Sequence, residues 1–307
     1  MIKTTKPLAV LLFGITAIPA SAQFDITINY VDIDAGFGIN DSGITATQQL
    51  IFDDAVNTWE SYITGYQAGI TLTGFTIDAS GPAIDGAFNV LGSAGPTGGL
   101  GQGDFILTSV GQMQFDSADL ARLETDGDLD EVILHEMGHV LGIGTWWNAF
   151  ENNGFGQDLY TSGTGQYTGA NALAQYQANV DAGAAFIPVE LDGGGGTANG
   201  HWNESLDNFN AAEENVAGNI GDPDPGDGAP ALTITNVNSP HFGNSLDAEL
   251  MTGVLSENSY ISNITLGSLE DLGYTVLYID DVAPAPEPSG IMLLAISSLG
   301  FIVRRRR

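Results

Sequence analysis

The chain lacks cysteine altogether, and it has very few basic residues. The absence of cysteine excludes disulfide bonds, thiolate metal ligands and any catalytic or inhibitory thiol. Its 307 residues include seven Lys and Arg against 38 Asp and Glu, and six of the seven basic residues lie within 1–6 and 304–307. Between these ends only Arg122 remains, so the surface is strongly anionic. Such a surface repels nucleic acid and anionic lipid, and we expect neither as a partner.

The N-terminal end has the features of an export signal. Lys3 and Lys6 precede an apolar run, and the small residues Ala20-Ser21-Ala22 follow it. This order is typical of a secretory signal peptide with a small-residue cleavage site. The sequence therefore predicts a signal peptide over 1–22 and export of the rest of the chain. A retained N-terminal anchor is the alternative, but the apolar run is short for a membrane span.

The C-terminal end has a different signal. Pro286-Glu287-Pro288 precedes an apolar segment and then Arg304 to Arg307. This end resembles the PEP-CTERM sorting signal of Gram-negative bacteria, which implies an exosortase-type sorting protease as partner. The apolar segment is short for a stable span of about 20 residues. We expect 281–307 to anchor the chain only transiently in the inner membrane, with its arginines in the cytoplasm. A permanent tail anchor is the alternative.

Residues 135–144 contain the pattern that bears most directly on function, His-Glu-Met-Gly-His-Val-Leu-Gly-Ile-Gly. Two histidines four residues apart lie on one face of a helix, so His135 and His139 can reach a single cation. Glu136 lies beside them, where a zinc hydrolase needs a carboxylate. We expect this helix to begin with Asp128 and Glu131 as a capping pair, and to end at Gly142. The alternative is a helix with two ordinary core histidines.

A catalytic zinc ion usually has three protein ligands, and the third is not in this helix. In compact metzincins a histidine occupies the position that is Thr145 here. The candidates are His201, His241 and Glu204. We favour His201, because the glycines before it allow backbone to pass close to a metal. His241 lies in a Pro/Gly loop context, and Glu204 is a candidate because another class of zinc proteases uses a downstream Glu.

Several segments, in order, resemble the bacterial relatives of leishmanolysin, which are metzincin-like zinc proteases with a long insertion between the second and third His. The resemblance spans about residues 25–278. The matching segments are 113–120, 135–144, 200–202, 249–252 and 268–274. The resemblance implies that His135, His139 and His201 are zinc ligands, that Glu136 is the general base, and that Met251 lies in the turn beneath the metal.

The chain departs from that family in two respects. It has no cysteine, so the thiol that blocks zinc in the cysteine-rich eukaryotic prototype has no counterpart. Residues 209–244 resemble an extra acidic insertion rich in Pro and Gly. The aspartates of 126–130 and 222–227 offer oxygen ligands that make Ca²⁺ a second candidate ion, although solvated acidic loops are the better interpretation.

The patterns predict an α+β fold of zincin or metzincin type, with a mixed β-sheet and an active-site helix. The catalytic domain spans 23–280, with an N-lobe over 23–144 and a loop-rich C-lobe over 145–280. The periodicities predict strands, a long helix, a flexible glycine-rich loop and three short helices. The strands are 24–31, 69–77 and 83–91, with one or two more within 105–115; the long helix is 47–63; the loop is 92–103; the short helices are 170–178, 204–217 and 266–271.

Together these features predict an exported, monomeric zinc-dependent endopeptidase that hydrolyses peptide bonds by metal-activated water, with Glu136 as general base. A protein or peptide substrate is expected to lie extended along a strand near 111–115 at the sheet edge. A non-catalytic matrix or adhesion protein, exported by the same signals, is the alternative of a different class. A zinc hydrolase with a non-peptide substrate is a lesser one.

Overall fold

The computed structural model describes residues 24–33, 41–191, 194, 196–204, 232–253, 256 and 258–279. This part of the chain is a mixed α+β structure with six α-helices, which confirms the predicted class. The predicted signal peptide, 1–22, and the predicted sorting segment, 281–307, lie outside the described residues. No helix within the described ranges combines the length and apolar character that a membrane crossing needs.

The elements follow one another with short connections in the first half and longer ones in the second. In chain order they are β1 (Asp25–Tyr30), α1 (Ala46–Tyr62), β2 (Ile63–Tyr66), β3 (Gly74–Ser80), β4 (Gly92–Gln102), β5 (Phe105–Phe115), α2 (Leu120–Asp126), α3 (Leu129–Leu141), α4 (Ala149–Asn153), β6 (Gln166–Tyr167), α5 (Ala170–Asn179), β7 (Ile187–Pro188), α6 (Asn263–Asp271) and β8 (Tyr274–Val276).

The main sheet has four strands in the order β1-β3-β5-β4. Strands β1, β3 and β5 are parallel, and β4 is antiparallel to β5. The expected mixed sheet is therefore present. The prediction that residues 111–115 lie at the sheet edge is wrong, because β5 is paired on both sides and β4 forms the edge. The predicted strand 69–77 also begins too early, since β3 starts at Gly74.

Two neighbouring predictions in the first half are wrong. Residues 92–103 were expected to form a flexible loop, but most of them form the eleven-residue strand β4. Glycine has a low strand propensity, yet β5 supplies a pairing partner along almost the whole length of β4. The ring of Trp146 also lies where a side chain at Gly99 would be, so a residue larger than glycine would not fit at this position. Residues 83–91, expected to be a strand, form a loop instead.

This loop is held by two buried carboxylates at the end of β5. Asp116 Oδ2 accepts hydrogen bonds from the three consecutive N–H groups of residues 84–86, at 3.2, 2.7 and 2.8 Å. Asp119 accepts the N–H of Phe88 at 3.1 Å. The N–H of Ala118, together with the loop N–H groups, holds the pKa of Asp116 below its usual range. The loop backbone is thus paired with side chains rather than with a strand.

Helix α1 packs against α3 and positions it. Thr45 and Gln48 form a capping box, in which each side chain accepts the other residue's N–H, at 3.2 and 2.9 Å. The buried face includes Phe52 and Trp59, at helical spacing. The indole N–H of Trp59 donates to the carbonyl oxygen of Leu134 at 3.0 Å, so α1 is tied directly to the turn before the first histidine of the motif.

Helix α3 ends as predicted but begins differently. Gly142 is its C-terminal cap with φ of 116°, in the left-handed region that favours glycine. The predicted capping pair at the start is wrong: the Asp128 side chain makes no capping hydrogen bond. Glu131 instead accepts the backbone N–H of Ser259 at 3.0 Å and its hydroxyl at 3.2 Å. Ser259, in a distant loop, therefore binds the Glu131 carboxylate that the local sequence pattern predicted to cap the helix.

The second half contains short elements that pack back onto the first. Helices α5 and α6 agree with the predicted 170–178 and 266–271, whereas the predicted 204–217 lies almost wholly outside the described residues. Strand β8 pairs antiparallel with β2 and so joins the end of the domain to its beginning. The proposed division into lobes at residue 144 stays a prediction.

Candidate metal centre

Three histidine side chains converge beside α3. His135 and His139 project from one face of the helix, and His201 arrives from the second half of the chain. The Nε2 atom of His135 lies 3.1 Å from the Nε2 atoms of both other rings, and those two are 3.0 Å apart. Within the described residues this is the one group of at least three His, Cys, Asp or Glu side chains close enough to hold a metal ion together.

The other ring nitrogen of each histidine contacts a backbone carbonyl. The pairs are His135 with Leu250 at 2.6 Å, His139 with Ile143 at 2.9 Å, and His201 with Thr197 at 2.8 Å. A carbonyl oxygen only accepts hydrogen bonds, so each Nδ1 must carry the proton. In the neutral rings all three Nε2 atoms are then unprotonated, and they cannot hydrogen-bond to one another. Three converging lone pairs of this kind can bind a single cation.

The surroundings keep these rings neutral. Burial lowers the pKa of His135 to about 3, and the neighbouring His139 adds to the shift. Burial also lowers the pKa of His139, and it lowers that of His201 well below the usual range, with the other two rings contributing there. Neutral imidazole is the form that binds a metal ion. At neutral pH the site therefore favours neutral histidines, whose Nε2 atoms can bind a metal ion, over charged ones.

The backbone around His201 is fixed independently of its ring. The N–H of Trp202 donates to the carbonyl oxygen of Met251 at 2.9 Å, and the N–H of Glu190 donates to that of His201 at 2.9 Å. Gly144, with φ of +72°, lies so close to Gly200 that an added Cβ would be 2.2 Å from the Gly200 oxygen. The loop that carries the third histidine thus packs directly on the chain leaving α3.

Met251 is fully buried and packs against α3 between the two helical histidines. A Cβ atom added at Gly138 would lie 2.6 Å from Met251 Sδ and 3.0 Å from its Cε. The carbonyl oxygen of the preceding residue, Leu250, accepts the hydrogen bond from His135. The turn at Met251 therefore packs against α3 close to His135; a place beneath a metal ion stays a prediction.

Glu136 lies on α3 where the last part of β5 meets the start of β4. A Cβ atom added at Gly92 would lie 3.3 Å from Glu136 Cγ and 3.1 Å from the ring of Phe115. The side chain is partly buried, and burial raises the pKa of Glu136 to about 8. A cation at the three nitrogens would oppose that shift, because a nearby positive charge favours the carboxylate. The carboxyl group thus lies on the helix that carries His135 and His139, in surroundings that favour its protonated form.

The alternative third ligands do not join this group. Glu204 and His241 are both outside it, and the His241 ring stacks on Tyr260 with centroids 4.3 Å apart. Thr145, which occupies the third-histidine position of compact metzincins, donates its hydroxyl to the carbonyl oxygen of His139 at 2.7 Å. It closes the end of α3 rather than binding an ion.

No acidic calcium cluster forms among the residues that the structure describes. Asp126, from the segment proposed as a calcium loop, pairs with Arg122 at 3.5 Å, and Arg122 also pairs with Asp119 at 2.7 Å. The second proposed segment, 222–227, lies outside the described residues.

Sequence reasoning missed the groups that orient the histidines. These are three backbone carbonyls, which carry no sequence signal. Sequence reasoning also missed the contacts of Glu249, which belongs to the matched segment 249–252. It is 2% exposed, and its carboxylate accepts the N–H of Met251 at 2.6 Å. The sequence signal that could have indicated these contacts is a glutamate two residues before Met251, the methionine predicted to lie in the turn.

No protein-family model matches the chain, and no curated protein matches it. The resemblance to leishmanolysin-type proteases therefore rests on the residues named above and on their arrangement.

The contact between Gly138 and Met251 can be tested by substitution. Alanine favours a helix over glycine by about 1 kcal/mol, but here its methyl would overlap the methionine sulfur. Overpacking typically costs about 1–3 kcal/mol, so we expect Gly138→Ala to lower the melting temperature and weaken metal retention. Gly183→Ala is the control, because its Cβ would meet only Asp181 Oδ1 at 3.5 Å, an ordinary contact. A Gly138→Ala protein with unchanged or higher stability would contradict the packing.

Proposed function

We propose that this protein is an exported zinc-dependent endopeptidase of metzincin-like, leishmanolysin type. The observation that carries the proposal is the convergence of three unprotonated imidazole nitrogens, with a partly buried glutamate adjacent in α3. Three neutral imidazoles plus an open position form a donor set typical of catalytic zinc. The turn of Met251 against α3 supports the assignment to this type of protease.

The donor set fits zinc in size as well as in chemistry. Nitrogens bound tetrahedrally at the Zn–N distance of about 2.0–2.1 Å lie roughly 3.3 Å apart. The observed separations are 3.0 and 3.1 Å, so the rings need to move by only a few tenths of an ångström. Imidazole also suits other transition metals, while the neighbouring Glu136 favours the hydrolytic role in which zinc predominates.

The chain's own residues would act as follows. Zinc, when bound, supplies Lewis acidity that polarises a carbonyl group and makes water more acidic. Glu136 accepts a proton from the attacking water and passes it to the leaving amine. His135, His139 and His201 hold the ion, and the carbonyls at their Nδ1 atoms keep the rings in the required tautomer and orientation.

Strand β4 is the proposed support for the substrate, in place of the segment 111–115 predicted from the sequence. It is an edge strand, so among the described residues one side of its backbone is not paired within the sheet. Its first residue, Gly92, lies next to Glu136. An extended peptide that added to this edge would bring a scissile bond towards the histidines. Because β4 carries few side chains, we expect it to recognise the main chain of a peptide substrate rather than the substrate's side chains.

The proposal is tested by measuring the zinc content of the purified protein and its cleavage of casein, with and without a chelator. We expect about one zinc per chain and cleavage that chelation abolishes and zinc restores. Bound zinc without cleavage of casein or a peptide library would favour the non-catalytic matrix or adhesion protein. Cleavage that survives complete removal of the metal would contradict the mechanism.

The proposed location is outside the cell, after processing at both ends. The Pro286-Glu287-Pro288 triplet, the short apolar segment and the four arginines support removal of about residues 286–307 by an exosortase-type protease. We expect an intact-mass measurement of the released protein to show a chain that begins near Gln23 and lacks this tail. A released form whose mass includes Arg307 would contradict the sorting signal.

A further inference from the structure

One peptide bond connects a buried carboxylate to the metal centre. The carbonyl oxygen of Leu250 accepts the hydrogen bond from His135 Nδ1 at 2.6 Å. The N–H of the same peptide group, on Met251, donates to Glu249 Oε2, also at 2.6 Å. Glu249 and His135 therefore bind opposite ends of a single amide dipole. Hydrogen bonds in such a chain polarise one another, so a charge at one end strengthens the bond at the other.

The second oxygen of Glu249 is bound by the start of α6. Glu249 Oε1 accepts the N–H and hydroxyl of Ser262 at 3.1 and 2.8 Å and the hydroxyl of Thr265 at 2.5 Å. The hydroxyl of Ser262 also accepts the N–H of Thr265, as the helix cap. These donors and the N-terminal end of a nine-residue helix favour the ionised carboxylate, against the burial that raises the pKa of Glu249.

The same cluster reaches the third histidine by a second route. The indole N–H of Trp202 donates to Thr265 Oγ1 at 2.9 Å. The backbone N–H of Trp202 donates to the carbonyl oxygen of Met251 at 2.9 Å. Trp202 directly follows His201. The segment that carries His201 is therefore held by Thr265 and Met251, and both of these residues also donate hydrogen bonds to Glu249. All of these groups are buried.

We propose that Glu249 is a positioning residue of the metal centre, acting on His135 through the Leu250–Met251 peptide and on His201 through Thr265 and Trp202. This inference rests on the metal site of the proposed function. A carboxylate that supports a histidine ligand raises its basicity and fixes its orientation, and loss of such support typically weakens metal binding about 10–100-fold. Here the peptide group transmits the effect, so Glu249 contributes without touching the ligand.

The test compares Glu249→Gln with Asp271→Asn in the folded protein. Asp271 is a matched control, because it is also buried and accepts three hydrogen bonds, from Tyr167, Asn171 and Ala172, at the start of α5. The readouts are zinc affinity by chelator competition and the visible spectrum of the Co²⁺-loaded protein. We expect Glu249→Gln to bind zinc about 10–100-fold more weakly and to shift the Co²⁺ bands, with both readouts unchanged in Asp271→Asn.

Equal weakening in both variants, or wild-type affinity and spectrum in Glu249→Gln, would overturn the inference. If Glu249→Gln does not fold, Thr265→Val and Thr265→Ser replace it: loss of the hydroxyl should weaken zinc binding, and serine should restore it. Equal zinc affinity in these two variants would also overturn the inference. Neither readout needs peptidase activity. A protein that binds zinc but cleaves nothing would therefore contradict the proposed function, while the two variants would still test the role of Glu249.

Discussion

Replacement of Glu136 by Gln is expected to leave a folded, zinc-containing protein that no longer hydrolyses peptide bonds. Gln has nearly the same shape, so the packing beside Gly92 and Phe115 is preserved. Its amide cannot accept the proton of the attacking water. General-base catalysis is typically worth about 10²–10⁴-fold, so we expect kcat/KM on a casein-derived peptide to fall by at least that factor.

The matched control is Glu131→Gln, on the same helix. Glu131 bonds to Ser259 and takes no part in the histidine group. We expect this variant to lose some thermal stability and to keep its activity and zinc. Comparable kcat/KM in Glu136→Gln and the wild-type protein, at equal zinc content, would remove Glu136 from the proposed mechanism.

The parts of the site that depend on local sequence were predictable. The spacing of His135 and His139 requires only helical geometry, and Gly142 ends the helix through a conformation that glycine adopts without strain. His201 could be preferred over His241 because of the glycines before it. The structure brings His201 into the group, and Gly144 shows why small residues are needed where the two segments meet.

The parts that depend on distant partners were not predictable. Residues 92–102 have the composition of a loop, and only the presence of β5 beside them makes a strand. The alternating pattern of 83–91 belongs to a loop whose N–H groups bind Asp116. Glu131 had a plausible local role as a cap, but Ser259, 128 residues away, binds it instead. In each case a tertiary contact overrode a local preference.

The contacts of Glu249 show the same limit beside the three histidines. Its neighbours in sequence, Leu250 and Met251, suggested a turn beneath the metal, but nothing in a linear pattern connects a glutamate to a histidine more than a hundred residues earlier. The connection exists because one peptide group presents its carbonyl to His135 and its N–H to Glu249. Orientation of ligands by backbone is a property of the folded chain alone.

Loss of the His201 imidazole is expected to remove zinc from the protein, whereas loss of the His241 imidazole is not. His201→Ala deletes one of three converging nitrogens, and two remaining imidazoles bind an ion far more weakly. The loop should stay in place, because the backbone of Trp202 and the N–H of Glu190 hold it without the ring. We therefore expect an affinity loss larger than the about 10–100-fold typical of supporting groups, with a nearly unchanged far-UV circular dichroism spectrum.

His241→Ala is the natural control, since it also deletes an imidazole from the second half of the chain. Its ring stacks on Tyr260 and lies outside the histidine group. Removing that contact should lower the melting temperature while zinc content stays near one per chain. Metal analysis after dialysis separates the two variants directly. Zinc lost from His241→Ala but retained by His201→Ala would show that the third ligand is His241 and that the arrangement of three Nε2 atoms is not the metal site.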